Sequence, residues 1–252
     1  MKIGVVGLGL IGGSIFKDLI KAGYDIVGIS NSQSGEHIYK DYSELRDCKI
    51  VFVCSAMNKT LAVLGELEKY LPKETIVTDV CSLKRFVSQK KYSYNFIPSH
   101  PMAGTEKQGF ENSFEGMFKG VKWVITPIDN ENSGIELLKN IIVELGAKPI
   151  ITTPEEHDRA AALISHMPML ISQAIFKTAQ NNDLAMQMAS SGFRDMTRLA
   201  MSNPEMANDM INMNSDNIEE SILNLYKSIG DLTNENYISQ IKSIRKNRQS
   251  MF

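Results

Sequence analysis

The sequence predicts an α/β fold: a doubly wound, mostly parallel sheet followed by an all-helical region. Three observations predict it. Short, nearly continuous apolar runs alternate with helix-like stretches through residues 1–150, as expected of strands buried on both faces. A glycine-rich turn joins the first apolar run to the first helical stretch. Beyond Pro154 the strand-like runs stop and every segment has a helical pattern.

The runs read as strands are KIGVV (2–6), DIVGI (25–29), KIVFVC (49–54), TIVT (75–78), YNFIP (94–98), KWVIT (122–126) and KPIIT (148–152). Helical stretches at 10–22, 59–70 and 133–145 lie between several of them. That alternation implies right-handed crossovers onto a parallel sheet. The stretch from Ser30 to the strand at 49 is short, so the helix expected there is abbreviated or absent. Thr153 is placed to cap a helix, with Pro154 at its first position and Glu155 and Glu156 in its first turn. Helical patterns follow at 183–202, 204–228 and 234–248. The domain boundary is expected at about residue 152, giving a dinucleotide-binding domain (1–152) and a helical substrate and dimerisation domain (153–252). Seven methionines between 186 and 213 suit helix–helix cores and adaptable interfaces.

The 252 residues are 43% hydrophobic and 22% charged, as in an ordinary globular chain. A formal net charge of -2 gives no electrostatic footprint for nucleic acid or an anionic membrane. Cys48, Cys54 and Cys81 form no CxxC pair and are expected as small buried hydrophobes in a reducing compartment; no metal is expected. The apolar N-terminus is broken by five glycines and reads as a strand and turn, not a leader. No apolar run reaches 18 residues, so no membrane span is expected and the cytoplasm is the default.

Gly7-x-Gly9-x-x-Gly12 follows a strand and opens a helix, the context that gives this pattern meaning as a Rossmann-type dinucleotide site. Gly7 permits the tight turn, Gly9 lets a pyrophosphate approach the backbone, and Gly12 allows close helix–strand packing. The start of the helix, Leu10 and Ile11, offers backbone N–H groups to phosphate. Ser55, just after the strand at 49–54, joins this cofactor set. The second strand ends at Ser30 and Asn31, where an NAD-selective site would carry a carboxylate. Removing that charge removes repulsion against a 2′-phosphate, which favours NADP. No Arg or Lys is adjacent to clamp it, so NAD stays open.

Residues 99–109, SHPMAGTEKQG, read as a loop too polar and punctuated for a strand or helix, yet they hold one of only four histidines. From spacing alone, His100 caps backbone or serves a site. Ser82 caps a helix or faces a ligand at the C-terminal sheet edge. Arg194 and Arg198, one helical turn apart, form a solvated face or hold an anion. His166 precedes Pro168, which breaks the helix ladder; it is a core histidine or a cleft one. His157 lies nine positions earlier, about half a revolution away on an ideal helix, and is expected to face elsewhere.

Taken together, HPMAGTEKQG, DVCSLK, HDRAAALISHMP and SSGFRDMTRLA occur in the order seen in the prephenate and arogenate dehydrogenases of tyrosine biosynthesis, and the chain resembles that family over nearly its whole length. The resemblance implies NAD(P)-dependent oxidative decarboxylation of a cyclohexadienyl substrate, in which aromatisation drives the reaction and no covalent intermediate is needed. It implies that His100 takes the C4 hydroxyl proton, a task suited to imidazole, with Pro101 and Gly104 stiffening its loop. It implies that Ser82 hydrogen-bonds the same hydroxyl and that Arg198 holds the ring carboxylate, which a guanidinium fork fits bidentately. His166 and Glu106 join the substrate set, Glu106 either orienting partners or simply solvated. Prephenate-using members often read SH-x-P-H, whereas this chain has Met169 at the last position. With Ser30, that departure is similar to the NADP-linked arogenate enzymes, so arogenate is the expected substrate and prephenate the alternative. No segment for a separate regulatory domain follows in this sequence, so any tyrosine feedback is expected at the active site. A β-hydroxyacid dehydrogenase or imine reductase of like architecture does not explain the HPxxGTE loop, and a non-catalytic dinucleotide sensor has no use for Ser82, His100 and Arg198 together. The helical region is too small for a thick core, so two copies are expected to intertwine as a homodimer around a cleft for the small-molecule substrate.

Overall fold

The computed structural model describes residues 1–105, 107–129, 132–233 and 236–251. The apolar runs become strands β1 (Lys2–Val6), β2 (Asp25–Ile29), β4 (Ile50–Val53), β5 (Ile76–Asp79), β8 (Lys122–Ile125) and β9 (Lys148–Ile151). Two-residue strands β3 (Ile38–Tyr39) and β6 (Asn95–Phe96) and the three-residue β7 (Ser99–Pro101) complete the set. Six strands form a parallel sheet in the order β3-β2-β1-β4-β5-β6. Its central strands are largely apolar because both faces are covered. On β4, Ile50 and Phe52 join the core beneath α1 (Leu10–Lys21) and α4 (Gly134–Glu144), while Val51 and Val53 join the core beneath α2 (Met57–Leu67). Between β3 and β4 only a 3-10 turn, Tyr42–Leu45, fills the place of the abbreviated helix.

Two expectations are corrected here. The last strands do not extend the main sheet: β7, β8 and β9 form a separate three-stranded sheet, with β7 antiparallel and β9 parallel to β8. Pro98 ends β6, and its carbonyl accepts from Thr126 N at 2.9 Å, which turns the chain onto β8. Consequently His100 does not lie in a loop. It sits on β7 opposite Val124, and Pro101 is tolerated because β7 is an edge strand. The irregular stretch begins only after Pro101.

The helical region starts as expected, Thr153 Oγ1 accepting from Glu156 N at 3.2 Å above α5 (Pro154–Ala161). A π-helical turn at Ala162–His166 then leads into α6 (Met167–Ala179). The segment 183–202 is three pieces, not one helix: α7 (Asp183–Gln187), α8 (Ser191–Met196) and a 3-10 turn at Arg198–Met201. Ser190 is extended there, and Ser-Ser-Gly is a poor helix former. The segment 204–228 likewise divides at Asn214 into α9 (Pro204–Met213) and α10 (Ser215–Thr233). α11 (Tyr237–Met251) ends the described chain and buries no residue. None of the described helices is long and apolar enough to cross a membrane.

A buried polar seam fixes the sheets to each other. Ser99 on β7 bonds Thr78 on β5 (2.7 Å), receives Trp123 Nε1 from β8 (2.9 Å), and donates to the Asp79 carbonyl (3.0 Å). The Lys84 ammonium, fully buried, pairs with the Asp79 carboxylate and donates to the Ser99 carbonyl at 2.6 Å. Removing one partner of a buried pair strands the other charge. Lys84→Met is therefore expected to cost about 3–5 kcal/mol of stability, measured by urea denaturation; an unchanged midpoint would show that the pair carries no structural load.

Candidate active site

The glycine loop leaves β1 through Gly7, whose φ of +90° suits glycine alone among common residues. A Cβ on Gly12 would lie 1.9 Å from the Gly7 carbonyl oxygen and 2.9 Å from Cys54 Cβ, so α1 can seat against the sheet only without one. A Cβ on Gly9 would meet nothing within 4 Å, which leaves open space at the N-terminus of α1. The first closed bond of α1 is Gly13 N to Gly9 O at 2.8 Å, so the N–H groups of Leu10, Ile11 and Gly12 lie outside its ladder. This is a cradle suited to phosphate. Ser55 lies beside it, its N within 3.2 Å of a Cβ built on Gly7 and its Oγ 3.0 Å from Thr60 Oγ1. At the end of β2, Ser30 Oγ accepts from Gln33 N (3.1 Å) and Ser32 N (3.3 Å), stabilising its own turn, while Asn31 is exposed.

His100 is half-buried, and its Nδ1 lies 3.0 Å from His157 Nε2 with the rings edge to face. His157 was expected to face away from the site, and the structure overturns this. His157 is 4% exposed, and its Nδ1 bonds Asp158 Oδ1 at 2.8 Å. Asp158 in turn accepts Lys84 N on Oδ1 (2.8 Å) and Arg85 N on Oδ2 (3.0 Å). The π turn, with its i→i+5 bonds, winds less per residue than an α-helix, so His166 does not swing the full half revolution from His157. His166 is 1% exposed, and its Nδ1 accepts from Asn214 Nδ2 at 3.1 Å; the same amide donates to the Asp158 carbonyl at 2.9 Å. The histidine is thus held in the core, beside the network.

Burial first, then the neighbouring His157, Lys84 and His166, holds His100 well below the usual histidine range. Burial also pulls His166 down to about 4, against the opposing pull of Asp158. Both rings are neutral near pH 7, and a neutral imidazole can accept a proton. Cys54 and Cys81 are pushed up by burial, Cys81 to about 12, so both stay thiols. Cys48 and Cys81 are buried as expected; Cys54 is half-buried.

Ser82 follows β5 with its side chain half-buried. It caps no helix, since the short α3 (Arg85–Ser88) has Lys84 at its N-cap. Its neighbours Cys81 and Leu83 pack with Met57, Met169, Ala207 and Met210, and Leu199 packs against the same cluster. Arg198, next to Leu199, is exposed on the 3-10 turn. Hydrogen bonds therefore tie His100 to His157, Asp158 and the Ser82 segment, whereas among the described residues Ser82 and Arg198 are linked through their neighbours' packing. Glu106 lies outside the described residues. His157, Asp158, Lys84, Asp79 and Asn214 went unread as site residues. The adjacent His-Asp pair at 157–158 was the available signal.

Both regions of the chain match known proteins. Residues 25–151 match the family model described as prephenate dehydrogenase, nucleotide-binding domain, and residues 153–245 match prephenate dehydrogenase, dimerization domain. The chain is 31% identical over 238 residues, 85% of its length, to a prephenate dehydrogenase of Bacillus subtilis, and the match spans 64% of that relative's length. The solved arogenate dehydrogenase of Synechocystis is similar over 99% of this chain and 97% of its own, at 32% identity and TM-score 0.82. The prephenate dehydrogenase of A. aeolicus, solved with hydroxyphenyl propionate and NAD+, shares the fold over 100% of this chain and 98% of its own, at 24% identity and TM-score 0.87.

Two outcomes are expected. Gly9→Ala should cost at most about 1 kcal/mol of stability yet weaken dinucleotide binding in a fluorescence titration, whereas Gly12→Ala should cost about 3 kcal/mol through overpacking; tight binding by a folded Gly9→Ala would remove the cradle. Because the folded pKa of His166 lies below its unfolded value, the unfolded state binds the extra proton and stability falls as pH drops from about 6.5 toward 4. Between pH 7 and 5 the loss from this group should be roughly 2 kcal/mol, read from urea melts, and should shrink by that amount in His166→Gln.

Proposed function

The chain belongs to the prephenate dehydrogenase family, and from that premise we propose that it converts arogenate to tyrosine by oxidative decarboxylation with NAD(P). Residues 1–152 bind the dinucleotide and residues 153–252 complete the substrate cleft and the dimer. The observation that carries this reading is His100, a neutral imidazole held by hydrogen bonds beside the Ser82 segment. His100 takes the C4 hydroxyl proton as the C4 hydrogen leaves as hydride, and Ser82 holds the same oxygen. The bond from C1 to the carboxylate then breaks, its electron pair completes the aromatic ring, and the phenolic oxygen recovers the proton from His100. Arg198, exposed and one residue from the Leu199 packing contact, pairs with the ring carboxylate. Glu106 and His166 belong to the substrate side of the site in this reading, His166 from within the core.

Gly7, Gly9, Leu10, Ile11, Gly12 and Ser55 would hold the dinucleotide, and the open space at Gly9 fits its pyrophosphate. When bound, the nicotinamide supplies the hydride acceptor. NADP is our choice because Ser30 and Asn31 place no carboxylate against a 2′-phosphate; with Ser30 Oγ engaged in its own turn, Asn31 is the freer donor. The NAD+ seen in the A. aeolicus relative supports the other choice. Prephenate, giving 4-hydroxyphenylpyruvate, is the second substrate reading, favoured by the name of the B. subtilis relative. Met169, buried against Cys81 and Leu83 near Ser82, favours arogenate because it offers no donor to a keto-acid.

A homodimer completes the proposal. α11 buries nothing within the chain, and Leu223, Tyr226 and Ile229 on α10 and Ile238 and Ile244 on α11 are exposed. With three free cysteines, two of them buried, the enzyme suits a reducing cytoplasm.

The test is the purified chain with arogenate or prephenate and either NADP or NAD, followed at the reduced-nicotinamide absorbance. Turnover is expected, fastest with arogenate and NADP; none with any of the four pairings would overturn the proposal. His100→Asn should lower kcat by about 10²–10⁴ with cofactor affinity unchanged, and Arg198→Ala should chiefly raise KM. Full activity in both variants would reassign these roles.

A further inference from the structure

We propose that His157 is a positioning residue for His100: the hydrogen-bonded row Asp158–His157–His100 decides which nitrogen of His100 carries the proton. This rests on the reading of His100 as the base. The argument runs along the row. Asp158 is 2% exposed and accepts two backbone N–H groups, Lys84 N at 2.8 Å and Arg85 N at 3.0 Å. An ionised carboxylate has no proton to give. The nitrogen facing it, His157 Nδ1 at 2.8 Å, must therefore be the protonated one. In a neutral His157 the lone pair then sits on Nε2, which faces His100 Nδ1 at 3.0 Å. Two nitrogens at that distance share one proton, so His100 Nδ1 carries it and donates to His157. His100 Nε2 is left bare, the form a proton acceptor requires.

The row also keeps its hydrogen bonds through proton uptake. A protonated His100 keeps its Nδ1–H on His157 Nε2, and His157 keeps its Nδ1–H on Asp158, so the new charge lies one imidazole from a buried carboxylate. The same carboxylate anchors Lys84 N and Arg85 N, two and three residues beyond Ser82. Base and hydroxyl are thus referred to one fixed point, contributed by α5.

The test reads ring nitrogens directly. Long-range ¹H–¹⁵N NMR of the ¹⁵N-histidine-labelled, ligand-free chain reports each tautomer, and the four histidines are assigned by single substitution. His100 and His157 are both expected to be protonated at Nδ1 and bare at Nε2 near pH 7. His100 protonated at Nε2 with Nδ1 bare would overturn the proposal. In turnover, His157→Leu removes the acceptor and should lower kcat roughly 10²-fold, with KM within about threefold and cofactor affinity unchanged. His157→Gln restores an acceptor oxygen and should recover at least about tenfold over Leu. Wild-type kcat in His157→Leu, or a Gln variant as impaired as Leu, would also overturn it. A chain that turns over neither cyclohexadienyl substrate would sink the proposed reaction while leaving the NMR result to decide this one.

Discussion

The structure around the site depends on one ion pair kept from water. Lys84 and Asp79 are both fully buried, and each is committed several times over: the ammonium to the Asp79 carboxylate and the Ser99 carbonyl, the carboxylate also to Cys81 N at 2.9 Å and Ser99 N at 3.3 Å. Isolated, either charge would be costly in so dry a place. Together they clamp the end of β5, the turn bearing Ser82 and the start of β7. His100 is the next residue after Ser99, so the strand that presents it is fixed by the clamp. Trp123 covers the clamp from β8 and is itself without exposure.

A second buried carboxylate, Asp158, works from the helical side. It holds Lys84 and Arg85 through their backbone, and His157 through its ring. The two acids thus divide the labour: Asp79 joins sheet to sheet, and Asp158 joins helix to sheet. Between them the glycine loop is reached through apolar thiols, with Cys54 against Gly12 and Cys81 bonding Thr60 at 3.1 Å. Kept as thiols by burial, they add no charge beside a phosphate cradle.

Much of this fold was legible in the sequence because its main strands are nearly continuous apolar runs with apolar neighbours on both faces. Ile50 to Val53 could hardly be anything else. The glycine cradle was legible because each glycine has a distinct geometric reason. His100, Ser82 and Arg198 stand out through resemblance, not through spacing. The short strand β7 was hidden because three residues holding a proline carry no periodicity; only pairing with β8 makes them a strand. The breaks at Ser190 and Asn214 were hidden inside patterns that otherwise favour helix. At Asn214 the side-chain amide serves Asp158 and His166, a tertiary role that no local pattern reveals. His157 was misjudged because ideal helical geometry was applied across a turn that is not α-helical.

That π turn, Ala162–His166, amounts to one residue too many for a regular helix. Wound as ordinary α-helix, the same five residues would carry the chain further round and rotate α6, and everything the chain builds after it, by roughly 100° relative to α5. His166 would leave Asn214, and Leu199 and Met169 would leave the cluster beside Ser82. The widened turn therefore absorbs one residue locally and keeps the helices that follow in phase with α5 and the sheet beside it.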